Sequence, residues 1–103
     1  QKYKTLHIVI GMVNDKDVNG VLALLPQNAK YYFTQASVTR ALPSTELQQL
    51  ANKHELEGEC YENVVSAVMS AQKNSLPEDF IFVGGSNFIV ADLLSNRDTL
   101  NLY

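Results

Sequence analysis

The sequence predicts an α/β protein of the Rossmann-like kind, a three-layer α/β/α arrangement with a mostly parallel sheet, and three observations carry that prediction. Short β-branched or aromatic apolar runs alternate along the chain with amphipathic stretches at helical spacing. The first run, Leu6 to Ile10, is stopped by Gly11 and followed at once by a charged loop and a helix pattern. The last run, Phe80 to Val83, ends in Gly84-Gly85-Ser86 and again leads into a helix pattern. Such alternation implies parallel strands joined by right-handed crossovers, with helices on both faces of the sheet.

Each element has its own local signal. After the first strand, Val18, Val21, Leu22 and Leu25 fall at i, i+3, i+4 and i+7, one face of a helix. The segment Ala29 to Thr34 is aromatic, follows Pro26-Gln27-Asn28, and reads as the second strand. A loop from Gln35 to Pro43 leads to a helix with Ser44 as N-cap candidate and Leu47, Leu50, Ala51 and His54 on one face. The polar stretch Lys53 to Glu59, turning at Gly58, carries a short strand into Cys60. Asn63 is placed to cap a third helix with Val64, Ala67, Val68 and Ala71 on its buried face, and Asn74-Ser75-Leu76-Pro77-Glu78 breaks it. The last helix runs from Asn87 to about Ser95.

Length and composition bound the function. The 103 residues suit one domain, 1–103, with a single core. Charged residues make up 18%, below the roughly 25% usual for soluble domains, which predicts that some surface is covered. A net charge of -3, a pI near 5.2 and no basic stripe argue against nucleic acid or an anionic membrane as partner. Cys60 stands alone, so there is no disulfide framework, no CxxC pair and no thiolate zinc site; a cytoplasmic location is the expectation. No apolar run approaches the roughly 18 residues of a membrane span. Because Gln1 stands almost directly ahead of a core strand, the chain reads as a piece of a longer protein.

In a parallel sheet the C-terminal strand ends lie on one edge, and ligands bind there. Three loops leave those ends. They carry Asp15, Lys16 and Asp17, then Thr34 through Arg40, then Gly84, Gly85 and Ser86. Lys16 and Arg40 supply the cations, the glycine pair admits close backbone approach, and Ser86 adds a hydroxyl at a helix start. A small molecule with two carboxylates, or the phosphates of a nucleotide, fits that set. Plainer readings stay open: Asp15 or Asp17 as a helix cap, Lys16 as a solvated charge, Gly84-Gly85-Ser86 as a tight turn, Arg40 as a tie for its own loop.

Other residues point away from chemistry. His7 lies in a strand and His54 ends a helix face, neither with a partner at metal-ligand spacing, so both read as structural and no metal residue is assigned. Gly85-Ser86-Asn87-Phe88 lacks the second glycine of a nucleophile elbow. There is no P-loop and no GxGxxG. The run Tyr31-Tyr32-Phe33 reads as strand packing.

The combination HIVIGMVNDKD, AKYYFT with TRALP, and FIFVGGSNFIVADLL resembles the C-terminal domain of the bifunctional dihydrofolate synthase and folylpolyglutamate synthase family, within the Mur-type ligases. The resemblance runs from Leu6 to Leu94 and rests on GMxxDKD and VGGSxFxVADLL at the right separation. It implies an enzyme that uses ATP and magnesium to turn a pteroate or folate carboxylate into an acyl phosphate, which the amine of glutamate attacks. It further implies that the P-loop and most of the magnesium site lie in an N-terminal ATPase domain, so that the fragment alone binds neither and is inactive. The family's C-terminal domain starts with a strand, a DGAHN-like motif and a helix that this chain lacks. The expected fold is therefore truncated at its N-terminal strand and helix. With that strand placed beside Leu6 to Ile10, the fragment should expose an edge there and self-associate.

Residue by residue, the resemblance implies that Lys16, as the cation of the D-(K/R)-D loop, binds a carboxylate of the incoming glutamate. Ser86, in the GS turn, contacts the same substrate. Arg40 is the nearest match to an arginine that reads the side-chain carboxylate, although TRALP departs from that pattern. Asp15 and Asp17 orient Lys16 or contact the substrate amine. No residue matches a general base, so no catalytic residue is assigned. Two alternatives remain open from sequence: a non-catalytic Rossmann-like small-molecule binding domain, and a sister Mur-type ligase adding another amino acid.

Overall fold

A computed structural model describes residues 5–13, 17–39, 41–85 and 89. The elements are β1 (Leu6–Ile10), α1 (Val18–Leu22), β2 (Lys30–Phe33), α2 (Ser44–Asn52), β3 (Gly58–Cys60), α3 (Val64–Asn74) and β4 (Phe80–Gly84). The strands form one all-parallel sheet in the order β3-β2-β1-β4. Ile10 sits opposite Phe33 on one side and Gly84 on the other.

Strand alternation sends apolar side chains to both faces, and each face has its own helices. Ile8, Ile10, Tyr31 and Phe33 meet Val18 and Leu22 of α1 and Leu47 and Ala51 of α2. Val9 and Tyr32 meet Val64, Ala67, Val68 and Ala71 of α3, together with helical Ile89. The three-layer prediction therefore holds. Leu47 and Phe33 are fully buried, each contributing roughly 1.5–3 kcal/mol by removal from water.

The expected edge beside Leu6–Ile10 is corrected by the pairing. β1 is interior, hydrogen-bonded to β2 and to β4. A strand buried on both faces, Ile8 to Ile10 being at most 3% exposed, is best satisfied with ladders on both sides. Among the strands, the exposed large apolar side chains are on β4, where Phe80 and Phe82 are 55% and 51% exposed.

Local endings also differ from expectation. Pro43, with φ -56° and ψ 141°, is the N-cap of α2, while Ser44 is buried as its first residue. Its N–H donates to Gln35 Oε1 at 2.8 Å, so a side chain from the preceding loop replaces the serine cap. After α2 the left-handed residue is Glu55 (φ 63°), and Leu56 N–H closes the end on Ala51 O at 3.0 Å. Gly58, read as the turn, already belongs to β3. The α3 prediction holds in full, with Asn63 Oδ1 accepting Ser66 N–H at 2.8 Å. The last helix, apart from Ile89, lies outside the described residues.

Candidate functional site

After β1 the chain moves one way to β2 and β3, then returns to β4 on the other side, so the β1 and β4 ends flank the topological switch point. Gly11 N–H donates to Gly84 O at 3.3 Å there. Gly85 has φ +115°, and a Cβ on it would run into the carbonyl oxygen of Gly11. At Gly11 a Cβ would overlap the Ile89 side chain and stand 2.9 Å from Thr34 O. Three strand ends thus meet backbone to backbone at this point.

The loops beyond them are stitched together. Thr34 N–H donates to Ile10 O at 2.9 Å, Leu42 N–H to Met12 O at 2.8 Å, and Val13 forms an antiparallel bridge with Ala41. The loop after β1 and the loop after β2 therefore share a hydrogen-bonded seam at one edge of the sheet.

Of the predicted site residues, Asp17 is placed: it is the N-cap of α1, its Oδ1 accepting Gly20 N–H at 3.1 Å. Asp15, Lys16, Arg40 and Ser86 lie outside the described residues. Their described flanks, Val13 and Asp17, Thr39 and Ala41, and Gly85, all belong to the loops just described.

Thr34, the first residue beyond β2, is completely buried, and its Oγ1 has no hydrogen-bond partner among the described residues. In sequence Thr34 ends the second strand and opens the edge loop Thr34 through Arg40. Nothing in the local pattern marks an orphaned hydroxyl, which depends on what surrounds it in space.

At the opposite end of the sheet stands a polar cluster that sequence reasoning missed except for treating His7 as structural. His7 Nε2 meets Asp79 Oδ2 at 2.9 Å and Nδ1 meets Tyr32 Oη at 2.8 Å. A carboxylate only accepts, so Nε2 carries the hydrogen, and in the neutral imidazole Nδ1 takes the Tyr32 O–H. Asn74 Nδ2 donates to Tyr32 Oη at 3.4 Å, completing a one-way chain of donors. The His7 bond, with Leu76 and Thr5 N–H groups, holds the Asp79 carboxyl below the usual carboxylate range. Burial pushes the Tyr32 phenol up. The cluster is closed, with His7 0% exposed, and is a fastener between β1 and β4.

Two other features carry no chemistry of the predicted kind. Burial, and then the neighbouring Glu59, pushes the Cys60 thiol up, away from the thiolate a nucleophile needs. An open cavity of about 520 Å³ is lined by Gln48, Asn52, Glu57, Gly58 and Glu59. It lies at β3, remote from the switch point, and its carboxylates have the wrong sign for an anion. Among the described residues no group of three or more His, Cys, Asp or Glu could hold a metal ion, and no helix is long and apolar enough to cross a membrane.

No protein-family model and no curated protein sequence matches the chain. Solved structures do. The chain is similar to E. coli FolC in complex with DHPP and ADP, with TM-score 0.85 and 26% identity over 98% of this chain and 24% of that one. It is also similar to the Yersinia pestis bifunctional folylpolyglutamate synthase/dihydrofolate synthase complexed with AMPPNP and Mn, at TM-score 0.74 and 24% identity over 95% and 22%. A third, a bifunctional folylpolyglutamate synthase/dihydrofolate synthase with Mn, AMPPNP and L-glutamate bound, aligns at TM-score 0.70 and 19% identity over 88% and 22%. The chain spans about a quarter of the length of these structures.

Proposed function

We propose that this chain, whose fold is that of the C-terminal domain of the folylpolyglutamate synthase/dihydrofolate synthase ligases of the Mur family, positions incoming L-glutamate for ATP-dependent addition to dihydropteroate or a folate. The observation that carries the reading is the meeting of Gly11, Thr34 and Gly85 at the switch point, with the loops of Lys16 and Arg40 stitched across it. A dicarboxylic amino acid fits cations on two loops and a hydroxyl on a third. One structural neighbour has L-glutamate bound.

In this reading Lys16 and Arg40 each take a carboxylate, and Ser86 donates a hydrogen bond to the same molecule. Asp17, by capping α1, sets the exit of the loop that carries Lys16. Asp15 contacts the substrate amine or orients Lys16. The work is positioning: the amine is held where an activated acceptor carbonyl can meet it, and water is kept away by closure against another domain. The neighbours named above bind ADP or AMPPNP, two of them with Mn. The described residues offer no seat for a metal, and the sequence has no P-loop, so no step is assigned to this chain through ATP or metal.

The test is a substrate screen of the whole protein with ATP and magnesium. Dihydropteroate, folates and muropeptide acceptors are each paired with L-glutamate, D-glutamate or diaminopimelate. Ligation confined to L-glutamate and a pterin-bearing acceptor is the expected result. Ligation of another amino acid, or no ligation in a protein that binds L-glutamate, contradicts it.

A further inference from the structure

We propose that β4 is the docking edge for a second copy of this chain, the two β4 strands pairing antiparallel about a two-fold axis at Phe82. The sheet has two edges, and they differ. β3 is protected: it is three residues long, carries Glu59, and its Gly58 carbonyl accepts a hydrogen bond from Gln48 Nε2 of α2 at 2.7 Å. β4 has none of those guards. Its five residues, Phe-Ile-Phe-Val-Gly, bear no charge and no proline. Among the described residues it pairs with β1 alone.

Phe80 N–H donates to Thr5 O, and Gly84 O accepts from Gly11 N–H, so alternation along β4 turns the N–H and C=O groups of Ile81 and Val83 outward. One antiparallel register uses them all: Ile81 against the partner's Val83, and Val83 against the partner's Ile81. It sets Phe82 opposite the partner's Phe82 as a close pair without hydrogen bonds, and Phe80 opposite the partner's Gly84. Ile81 and Val83 pack toward α3, so Phe80, Phe82 and Gly84 share the other face, where both rings are half exposed. Phe82 already leans over Gly84, so the incoming Phe80 meets an aromatic ring over bare backbone. A chain of net charge -3 meets its copy here across an uncharged strip. The strip is short. One strand edge of about 17 Å with two half-exposed rings falls below the roughly 800 Å² per partner of a standard interface, so the dimer is weak and reversible, with a Kd on the order of 10–100 µM.

Sedimentation equilibrium of the 103-residue chain, up to about 0.5 mM, should show reversible monomer and dimer. Phe82→Glu and Phe82→Lys each put like charges together on the axis and should raise Kd more than about tenfold. An equimolar mixture of the two variants should dimerise again, because opposite charges then face each other, and that recovery also shows that both are folded. Amide exchange at Ile81 and Val83 of the wild type should slow as concentration rises, a readout that needs no variant. Wild type that stays monomeric at the highest concentration, a dimer that both variants leave intact, or a mixture that does not recover overturns the proposal. Protection of the Ile81 and Val83 amides that is independent of concentration in the whole protein overturns it too, by showing that another stretch of that protein occupies the edge.

Discussion

His7 and Asp79, 72 residues apart in sequence, form a buried hydrogen bond of 2.9 Å that fastens the start of β4 to the start of β1. Asp79 also accepts from Thr5 N–H at 3.2 Å and Leu76 N–H at 3.1 Å, so one carboxylate closes the turn after α3 and sets where β4 enters the sheet. The other end of the same strand delivers Gly84 and Gly85 to the candidate site.

That carboxyl titrates below its ordinary value, with the His7 bond as the largest cause. A lowered folded-state value means stability that is present above the unfolded carboxyl range, near 3.9, and lost as pH falls through the folded value. Asp79→Ala should therefore lower the urea midpoint at pH 6 to 7. The gap from wild type should begin to narrow as pH falls below about 4 and close only below the lowered folded value, where wild-type Asp79 is protonated. A gap that stays constant down to pH 2 contradicts this role.

Gly85→Ala places a Cβ against the Gly11 carbonyl at a φ of +115°. Strain of that kind costs of order 1–3 kcal/mol, and the overlap adds to it. Urea unfolding should show a lower midpoint with an unchanged slope, and L-glutamate binding should weaken with it. A fully stable Gly85→Ala protein contradicts the backbone contact.

The cap and charge of Asp17 separate by substitution. Asp17→Asn keeps an oxygen for Gly20 N–H and should leave the glutamate KM within about twofold. Asp17→Ala loses the cap, worth about 1 kcal/mol, and should raise that KM several-fold by loosening the Lys16 loop. Equal effects of both changes would show that the charge, not the cap, matters.

How much of this was legible in sequence depends on how local each feature is. The α3 face and its Asn63 cap follow from spacing within a dozen residues, and the structure reproduces them. The meeting of the loops at one edge follows from strand alternation. The place of β1 in the sheet is a matter of which strand returns beside it, and the expected edge proved interior. Pro43 displaced Ser44 as cap because Gln35, nine residues earlier, takes the Ser44 N–H. The Asp79–His7 bond and the orphaned Thr34 hydroxyl depend wholly on distant neighbours, so no periodicity announces them.

The 103 residues by themselves should neither hydrolyse ATP nor ligate glutamate, since they contain no P-loop. Phosphate release with purified chain, ATP, magnesium, folate and glutamate should stay at the buffer level. Turnover that persists through repurification contradicts the assignment of a positioning role.

The central claim, that this chain holds the incoming glutamate, is tested most directly by steady-state kinetics of Lys16→Ala in the whole protein. A lost charge-assisted bond to a carboxylate is worth roughly 1.5–3 kcal/mol, so the L-glutamate KM should rise about tenfold to a hundredfold while the ATP KM stays near wild type. Ser86→Ala should move the same parameter by less. A Lys16→Ala protein that loses ATP affinity and keeps its glutamate KM would contradict the account.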